Sequence, residues 1–228
     1  MIIFCQKTHF AFLCLIQNYS MELKGIKNII FDLGAVIINI DPERSRKSLD
    51  NISGGNYEND MKELVEGNFF EQYEKGEIST NDFVDTLAEA LMQNASEAEI
   101  KKIWNMTLLD IPQARMDVLK RAKKDYNTFL LSNTNDLHIE AIYKMLEEEY
   151  NMPNLDSLFD KVYLSYEIGL RKPEPEIFQK VLNDNNLKAE ETLFIDDREE
   201  HTLAAERLGI RVYHLTSEEN LESLFDEN

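Results

Sequence analysis

Residues 28–38 constrain the fold of this chain more than any other stretch. They read Asn-Ile-Ile-Phe-Asp-Leu-Gly-Ala-Val-Ile-Ile, and such a run of β-branched and aromatic residues predicts a strand buried on both faces, as in a parallel sheet. Asp32 is its only charged residue, and a buried carboxylate needs a partner or a chemical task. Gly34 lets the backbone turn sharply past the strand, where open α/β sheets hold their ligands. The alternative is that Asp32 merely ends the strand and caps the next element.

The composition indicates a globular, acidic protein. With 228 residues, 43% of them hydrophobic, the chain can build one large domain or a core with a smaller inserted domain. The formal net charge of −19 argues against nucleic acids and anionic membranes as partners, because both repel an acidic protein. Cys5 and Cys14 both lie in the first 20 residues, so the body of the chain has no disulfide framework or thiolate metal site, which predicts a cytoplasmic location.

The first 20 residues are expected to stand apart from the fold. Residues 10–16 form an apolar stretch like that of a signal peptide, but seven residues are too few to span a bilayer and no small-x-small cleavage site follows. Met21 is followed by a polar lead into the first strand. We therefore expect translation to start at Met21 and residues 1–20 to be an upstream artefact; a signal peptide is the alternative.

A helical segment interrupts the α/β pattern. Asp41 and Pro42 have the residue types of an N-cap and a first helical position, and Ser96 with Glu99 forms a capping box. From residue 41 to about residue 111 the apolar spacing is helical throughout. The sequence therefore predicts a helical-bundle cap domain over 41–111, inserted into an α/β core domain made of 21–40 and 112–228.

The remainder of the chain alternates strands with helices. Apolar runs predict further strands at residues 128–132, 161–164, 192–195 and 211–213, with amphipathic helices between them. This alternation predicts a doubly wound, Rossmann-like parallel sheet with right-handed crossovers.

Polar groups follow several of the predicted strands. Asp32 ends the first, Ser132 the second, and Asp196 and Asp197 a later one. The carboxyl ends of parallel strands share one edge, so these groups are expected to meet in one crevice. Clustered carboxylates repel one another, and the usual remedies are a raised pKa or a bound cation. Oxygen ligands alone favour Mg²⁺ as that cation. Lys172, before Pro173 at a helix start, offers a positive charge for the same anionic substrate.

Four motifs of this chain, taken in order, resemble those of the haloacid dehalogenase superfamily. They are Asp32-Leu33-Gly34, Leu131-Ser132-Asn133, Arg171-Lys172-Pro173 and Phe194-Ile195-Asp196-Asp197. The resemblance covers residues 27–214, and the helical insertion looks like the superfamily's first-type cap. Residues 132–138 and 163–174 are similar, more narrowly, to the bacterial α-D-glucose-1-phosphatase-like branch.

The resemblance implies a phosphatase for a small phosphorylated substrate. Asp32 would be the nucleophile and form an aspartyl-phosphate that water hydrolyses. Ser132 and Lys172 would hold the phosphoryl oxygens with the backbone N–H groups of Leu33 and Gly34, and Asn133 would add a polar contact. The implied cofactor is Mg²⁺, and its implied ligands are Asp32, the carbonyl of Gly34, Asp197 and, directly or through water, Asp196.

Two positions depart from the superfamily pattern. Gly34 stands where most of its phosphatases have a second Asp, the general acid and base. Without that group turnover should be slower, and a sugar 1-phosphate, whose anomeric oxygen leaves readily, becomes the favoured substrate. His201 stands where an Asp or Asn is common. It is expected either to hydrogen-bond a site residue or to be an exposed helical His without a role.

Two other functions compete with the phosphatase. A non-catalytic binder of phosphorylated ligands is motivated by Gly34, although Asp32, Ser132, Lys172 and the Asp196-Asp197 pair argue against it. A dehalogenase or phosphonatase is the third hypothesis. The Asp196-Asp197 pair disfavours a metal-free dehalogenase, and no cap lysine stands out for the Schiff base of a phosphonatase. The expected assembly is a monomer or a homodimer.

Overall fold

A five-stranded parallel sheet forms the centre of the computed structural model, which describes residues 23–91, 95–216 and 221–226. The strand order is β3-β2-β1-β4-β5. The strands are β1 (Asn28–Phe31), β2 (Asn127–Ser132), β3 (Lys161–Leu164), β4 (Thr192–Asp196) and β5 (Arg211–His214). The predicted α/β fold with a parallel sheet is confirmed. The interpretation of residues 1–20, with Cys5, Cys14 and the Met21 start, lies outside the described residues.

Helices cover both faces of the sheet and fill the connection after β1. Between β1 and β2 lie α1 (Pro42–Ile52), α2 (Tyr57–Asp60), α3 (Lys62–Glu66), α4 (Phe69–Glu74), α5 (Thr80–Ala90), α6 (Glu97–Trp104) and α7 (Gln113–Asp125). After β2 come α8 (Asp136–Tyr150), α9 (Ser165–Ile168), α10 (Pro175–Asp184), α11 (Glu199–Glu206) and α12 (Ser223–Asp226). Short 3₁₀ segments span Asn105–Thr107 and Ala189–Glu191.

Alternate residues of the central strand enter different cores. Ile29 and Phe31 lie in one buried cluster, whereas Ile30 lies in another with Phe129 and Phe194. Because successive side chains of a strand point to opposite faces, the two clusters occupy opposite sides of the sheet. This two-sided burial explains why the sequence of β1 is apolar without alternation.

The first predicted strand is shorter than expected. Residues 28–38 were predicted as strand and turn around Gly34, but β1 ends at Phe31 and the chain then folds back. The N–H of Ala35 donates to the carbonyl of Ile38 at 2.8 Å, and the N–H of Ile37 donates to the carbonyl of Leu33 at 2.9 Å. The left-handed φ of this turn, +58°, belongs to Ala35 and not to Gly34. Residues 36–38 resemble a strand because their side chains are buried in the core.

The helices α1 to α6 form a unit that we call the helical insert. Its cluster of buried side chains is separate from those beside the sheet and includes Leu49, Tyr73, Phe83 and Ile100. The predicted caps are present: Asp41 accepts a hydrogen bond from the N–H of Glu43 at 3.1 Å, and the Ser96–Glu99 capping box is complete. The domain limits 41–111, 21–40 and 112–228 stay a prediction.

In the described ranges, no helix combines the length and the apolar character that crossing a bilayer requires.

Removing a central core side chain should destabilise the fold. Ile30 is 0% exposed, so Ile30→Ala is expected to lower the free energy of unfolding by about 2–5 kcal/mol through lost burial and a residual cavity. Urea denaturation followed by circular dichroism measures this value. Val65→Ala is the control because Val65 is 58% exposed, and its effect should stay within about 0.5 kcal/mol. Equal effects of the two substitutions would contradict the assignment of β1 to the core.

Candidate active site

Three carboxyl groups meet at the carboxyl edge of the sheet. Asp32 follows β1, Asp196 ends β4 and Asp197 follows it. The main chains are in register because Phe31 pairs with Ile195, and the N–H of Asp32 donates to the carbonyl of Ile195 at 2.9 Å. One ligand oxygen of each carboxyl group lies within 4.8 Å of the others. The parallel register thus brings together groups that lie 164 positions apart.

Lys172 enters this cluster from the segment between α9 and α10. Its side chain is 1% exposed, and its Nζ lies 2.5 Å from Oδ1 of Asp32 and 2.7 Å from Oδ2 of Asp196. A buried ammonium is tolerated only with such paired carboxylates. One cation facing three carboxyl groups leaves a surplus of negative charge, which favours binding of a further cation.

The surroundings shift the pKa values of the carboxyl groups in different directions. Burial raises the pKa of Asp32 to about 7, although the charge of Lys172 opposes the rise. Burial also acts on Asp196, but the charge of Lys172 and the hydrogen bond from His201 outweigh it and hold the pKa at about 2. Burial and the charge of Asp196 raise the pKa of Asp197. A cation bound among these groups would favour the ionised form of each.

His201 on α11 is buried beside Asp196. It is 4% exposed, and its Nδ1 lies 3.0 Å from both carboxylate oxygens of Asp196. The alternative of an exposed histidine without a role is therefore wrong. The N–H of Arg198 also donates to Oδ1 of Asp196, at 2.8 Å. Together with Lys172, these donors orient the Asp196 carboxylate.

Ser132 ends β2 and Asn133 follows it, but the two have different surroundings. Ser132 is 3% exposed, and its hydroxyl donates to the carbonyl of Asn133 at 3.5 Å, which is too long for a strong hydrogen bond. The amide of Asn133 makes two hydrogen bonds of 2.8 Å with the main chain of Lys172, one as donor and one as acceptor. Asn133 therefore holds Lys172 in place, and its predicted contact with substrate stays a prediction.

The turn after Asp32 leaves little room at Gly34. A Cβ at this position would lie 3.3 Å from Cδ1 of Ile40. Leu33 is 2% exposed, so its side chain belongs to the core and only its main chain is available to a ligand. Burial raises the pKa of Asp32, and the N–H of Leu33 opposes that rise. The predicted roles of Leu33 and Gly34 thus depend on backbone groups.

The donor set matches a hard divalent cation. Asp32, Asp196 and Asp197 offer carboxylate oxygens, and the predicted fourth ligand, the carbonyl of Gly34, is also an oxygen. His201 is already engaged by Asp196. A site with oxygen ligands alone suits Mg²⁺ rather than Zn²⁺.

A family model for haloacid dehalogenase-like hydrolases matches residues 26–209 of the chain. The chain belongs to this family. The matched range contains the site residues described above and the whole helical insert. The protein is therefore an enzyme, a haloacid dehalogenase-like hydrolase.

Two curated relatives of this family are named as phosphatases. A D-ribitol-5-phosphate phosphatase from Bacteroides thetaiotaomicron is 28% identical over 188 residues, which are 82% of this chain and 91% of the relative. A sesquiterpene phosphatase, astK, from Aspergillus oryzae is 29% identical over 195 residues, which are 83% of this chain and 90% of the relative.

A solved haloacid dehalogenase family enzyme from Bacteroides thetaiotaomicron has a similar fold. It is 38% identical, its TM-score is 0.82, and the alignment covers 89% of this chain and 99% of that enzyme. The enzyme has also been solved in complex with magnesium and inorganic phosphate, with a TM-score of 0.75, 37% identity and coverage of 88% and 99%. Structures of this family thus exist with the cofactor implied for this chain.

Ser165 lies within the stretch 163–174 described above, but no role at the site was predicted for it. Ser165 follows β3 directly and is buried; its hydroxyl donates to the carbonyl of Thr134 at 3.0 Å and accepts from the N–H of Thr134 at 2.9 Å. It ties the chain after β3 to the loop that follows Ser132. A polar residue at a strand end, the signal that marks Ser132, also marks Ser165 in the sequence.

Magnesium should stabilise the protein through Asp197. At a free concentration 100 times its dissociation constant, a ligand of the folded state alone adds about 2.7 kcal/mol to the free energy of unfolding. We expect Mg²⁺ to raise the melting temperature of the native protein, and Asp197→Asn to reduce the rise because one charged ligand is lost. Thermal denaturation with and without Mg²⁺ measures both. The control is Glu148→Gln, an exposed carboxyl group on α8; an equal rise in all three proteins would contradict the site.

Proposed function

We propose that the protein is a Mg²⁺-dependent phosphatase that acts on a small phosphorylated metabolite, a sugar phosphate, through an aspartyl-phosphate on Asp32. The observation that carries the proposal is the buried Asp32 carboxylate with the Lys172 ammonium at 2.5 Å and with Asp196 and Asp197 beside it. This arrangement combines a nucleophile, a fixed positive charge and an oxygen-rich cation site.

The chain is a phosphoric monoester hydrolase of the haloacid dehalogenase type. The family match and the two phosphatases described above, of which the chain covers about nine tenths, support this class. Beyond this class, we propose the dependence on Mg²⁺, the aspartyl-phosphate intermediate and the sugar phosphate substrate.

Asp32 has the position of a nucleophile. Its oxygen would attack phosphorus in line, form the new P–O bond and expel the alcohol oxygen, which needs a proton. Lys172 and Ser132 would hold the phosphoryl oxygens, with the backbone N–H groups of Leu33 and Gly34. A water molecule would then hydrolyse the aspartyl-phosphate and release inorganic phosphate. The buried position of Lys172 strengthens its attraction for phosphoryl oxygens, because little water screens the charge.

Mg²⁺ at Asp32, Asp197 and the carbonyl of Gly34, with Asp196 bound directly or through water, would neutralise negative charge on the phosphoryl group. Asp196 already accepts hydrogen bonds from Lys172, His201 and the N–H of Arg198. Its principal contribution would then be to orient Lys172. Asp197 is less buried than Asp32 or Asp196, which leaves its carboxylate accessible to the ion.

The choice of substrate follows from Gly34. General acid–base catalysis contributes typically about 10²–10⁴-fold, and this chain has no acid at the usual position. A leaving oxygen of low basicity compensates for the missing proton donor, and the anomeric oxygen of a sugar 1-phosphate is such a group. The named activity of the Bacteroides relative, on ribitol 5-phosphate, makes a terminal polyol phosphate the competing substrate.

A groove next to the start of α1 is a candidate site for the alcohol part of the substrate. It has a volume of about 380 Å³ and is lined by the first turns of α1 and α8 and by other helices of the helical insert. Phe70 and Trp104 supply aromatic surface, and the polar groups of Arg46 and His138 are already bound to other residues. In the proposed reaction the groove would therefore contact the C–H faces of the alcohol part rather than its hydroxyls.

Loss of the nucleophile should abolish turnover. Asp32→Asn is expected to lower kcat on the order of 10⁴-fold or more, as removal of a nucleophile does in other hydrolases, and chelation of the metal by EDTA should have a similar effect. Release of inorganic phosphate measures both. Asp85→Asn, on the exposed face of α5, is the matched control and should keep the native rate. An Asp32→Asn protein with most of its activity would refute the nucleophile assignment.

A substrate panel should show the leaving-group preference. We expect phosphate release from sugar 1-phosphates to exceed that from sugar 6-phosphates and ribitol 5-phosphate, as judged by kcat/KM with Mg²⁺. p-Nitrophenyl phosphate, whose leaving oxygen is less basic still, should be hydrolysed as well. Preference for ribitol 5-phosphate would contradict the leaving-group argument and favour the polyol substrate. If the folded, Mg²⁺-bound protein releases phosphate from none of these compounds, the result would favour the second candidate function, a non-catalytic binder of phosphorylated ligands. Gly34 is the observation that supports this second function.

A further inference from the structure

The end of α4 joins the helical insert to the segments that carry the phosphate-binding residues. Tyr73 and Glu74 close this helix, and Lys75 and Gly76 follow it. They contact two segments: the chain after β2, which directly follows Ser132, and residues 165–174 after β3, which contain Lys172. We call the four residues 73–76 the α4 end.

Two ion pairs connect the α4 end to residues 171–174. In one pair the α4 end supplies the negative charge, and in the other it supplies the positive charge. Nη2 of Arg171 lies 2.9 Å from Oε2 of Glu74, and Nε of Arg171 lies 3.2 Å from the same oxygen. Nη1 of Arg171 also lies 3.6 Å from Glu71. In the other direction, Nζ of Lys75 lies 2.5 Å from Oε1 of Glu174. Each side thus contributes both signs of charge.

Hydrogen bonds connect the α4 end to the chain after β2. The hydroxyl of Tyr73 donates to Oδ1 of Asp136 at 2.6 Å, and the hydroxyl of Thr80 donates to Oδ2 of the same carboxylate. Asp136 is the first residue of α8, four positions after Ser132. Gly76 packs so closely on the carbonyl of Tyr166 that a Cβ could not be accommodated there. The insert is therefore docked on both segments.

These contacts close into a ring at the active site. Arg171 is bound to the insert, and its neighbour Lys172 reaches Asp32 with its side chain. The side-chain amide of Asn133 forms two hydrogen bonds of 2.8 Å with the main chain of Lys172, one with its carbonyl and one with its N–H. From Asn133 the chain runs to Asp136 and, through Tyr73, back to the insert. Every non-covalent link of the ring is a hydrogen bond or an ion pair between described residues.

We propose that Arg171 is a positioning residue: its ion pair with Glu74 of the insert places Lys172 for the phosphoryl group. The inference rests on the proposed function only in taking Lys172 as a phosphate ligand. In the part of the chain that the structure describes, Arg171 itself has no hydrogen bond or ion pair with Asp32 or the other carboxylates of the site. Arg171 acts through the peptide bond to Lys172. Asn133 also helps to hold the main chain of Lys172 in position.

The setting of the Arg171–Glu74 pair is suited to this task. Fully exposed ion pairs contribute little because solvent screens them and both side chains must be ordered. Here the side chains are only 20% and 29% exposed, and two guanidinium nitrogens approach one carboxylate oxygen. Hydrogen bonds between charged groups are stronger and more directional than neutral ones. The pair can therefore hold the main chain at residue 171 in one position relative to the insert.

A charge exchange tests the inference. The variants are Arg171→Glu, Glu74→Arg and the double variant that exchanges both charges. A displacement of about 1 Å costs up to about a hundredfold in rate, so each single variant should lose about ten- to a hundredfold in kcat/KM and in affinity for inorganic phosphate with Mg²⁺. The double variant should recover to within about threefold of the native protein, because an ion pair is restored.

The control is the matched exchange Lys62→Glu with Glu66→Lys. These residues form an ion pair at 3.9 Å on α3 of the same insert, and their side chains are 66% and 68% exposed. Its single and double variants should leave kcat/KM and phosphate affinity unchanged. Glu74→Gln is a milder second variant that keeps the side-chain volume, so a folding defect of Arg171→Glu does not decide the outcome. Thermal denaturation monitors folding of all variants.

Phosphate affinity, measured by isothermal titration calorimetry, separates this inference from the proposed function. If the native protein binds phosphate but hydrolyses no ester, the proposed function fails. The phosphate affinities of the native protein, the two single variants and the double variant still test the role of Arg171. Folded single variants within about twofold of the native phosphate affinity would overturn the positioning role, since pairwise coupling must exceed experimental scatter. A double variant as weak as the singles would also overturn it, and so would a native protein that binds no phosphate.

Discussion

The buried ammonium of Lys172 is the charge on which the rest of the site depends. It lies 2.5 Å from Asp32 and 2.7 Å from Asp196, two carboxylates that come from neighbouring strands and would repel each other without it. Desolvation of such charges is costly, so the groups persist only because they are paired in good geometry. The same ammonium faces the position of the phosphoryl group in the proposed reaction. One buried cation thus holds the two carboxylates together, and in the proposed reaction it would also bind the phosphoryl oxygens.

Groups around this charge leave it little freedom. His201 and the N–H of Arg198 orient Asp196, and Asn133 holds the main chain of Lys172 from both sides. Rigid polar groups reduce the reorganisation that a reaction requires, because they already point to where negative charge develops. The helical insert adds to this arrangement through Arg171, whose neighbour is the lysine itself. The site is therefore built by the sheet edge, the loops and the insert together.

Gly34 separates this chain from the common pattern of its family, and the structure supplies a steric context for it. Cδ1 of Ile40 lies 3.3 Å from where a Cβ would stand, so a larger side chain there would require Ile40 to shift. In the proposed function, the surfaces of the helical insert would select the alcohol part of the substrate. The named relatives, one acting on ribitol 5-phosphate and one on a sesquiterpene phosphate, differ in that part of the substrate.

The sequence by itself determined the features that depend on local physics. Apolar runs marked the strands, the cap residues Asp41 and Ser96 marked helix starts, and polar residues at strand ends marked Asp32, Ser132 and Asp196, because parallel strands share one carboxyl edge. Only the tertiary structure decided the end of β1 at Phe31, the burial of His201 and the Arg171–Glu74 pair. Apolar residues in a buried turn resemble a strand, and the partners of an ion pair 97 positions apart carry no local signal; their contact exists only once the chain is folded.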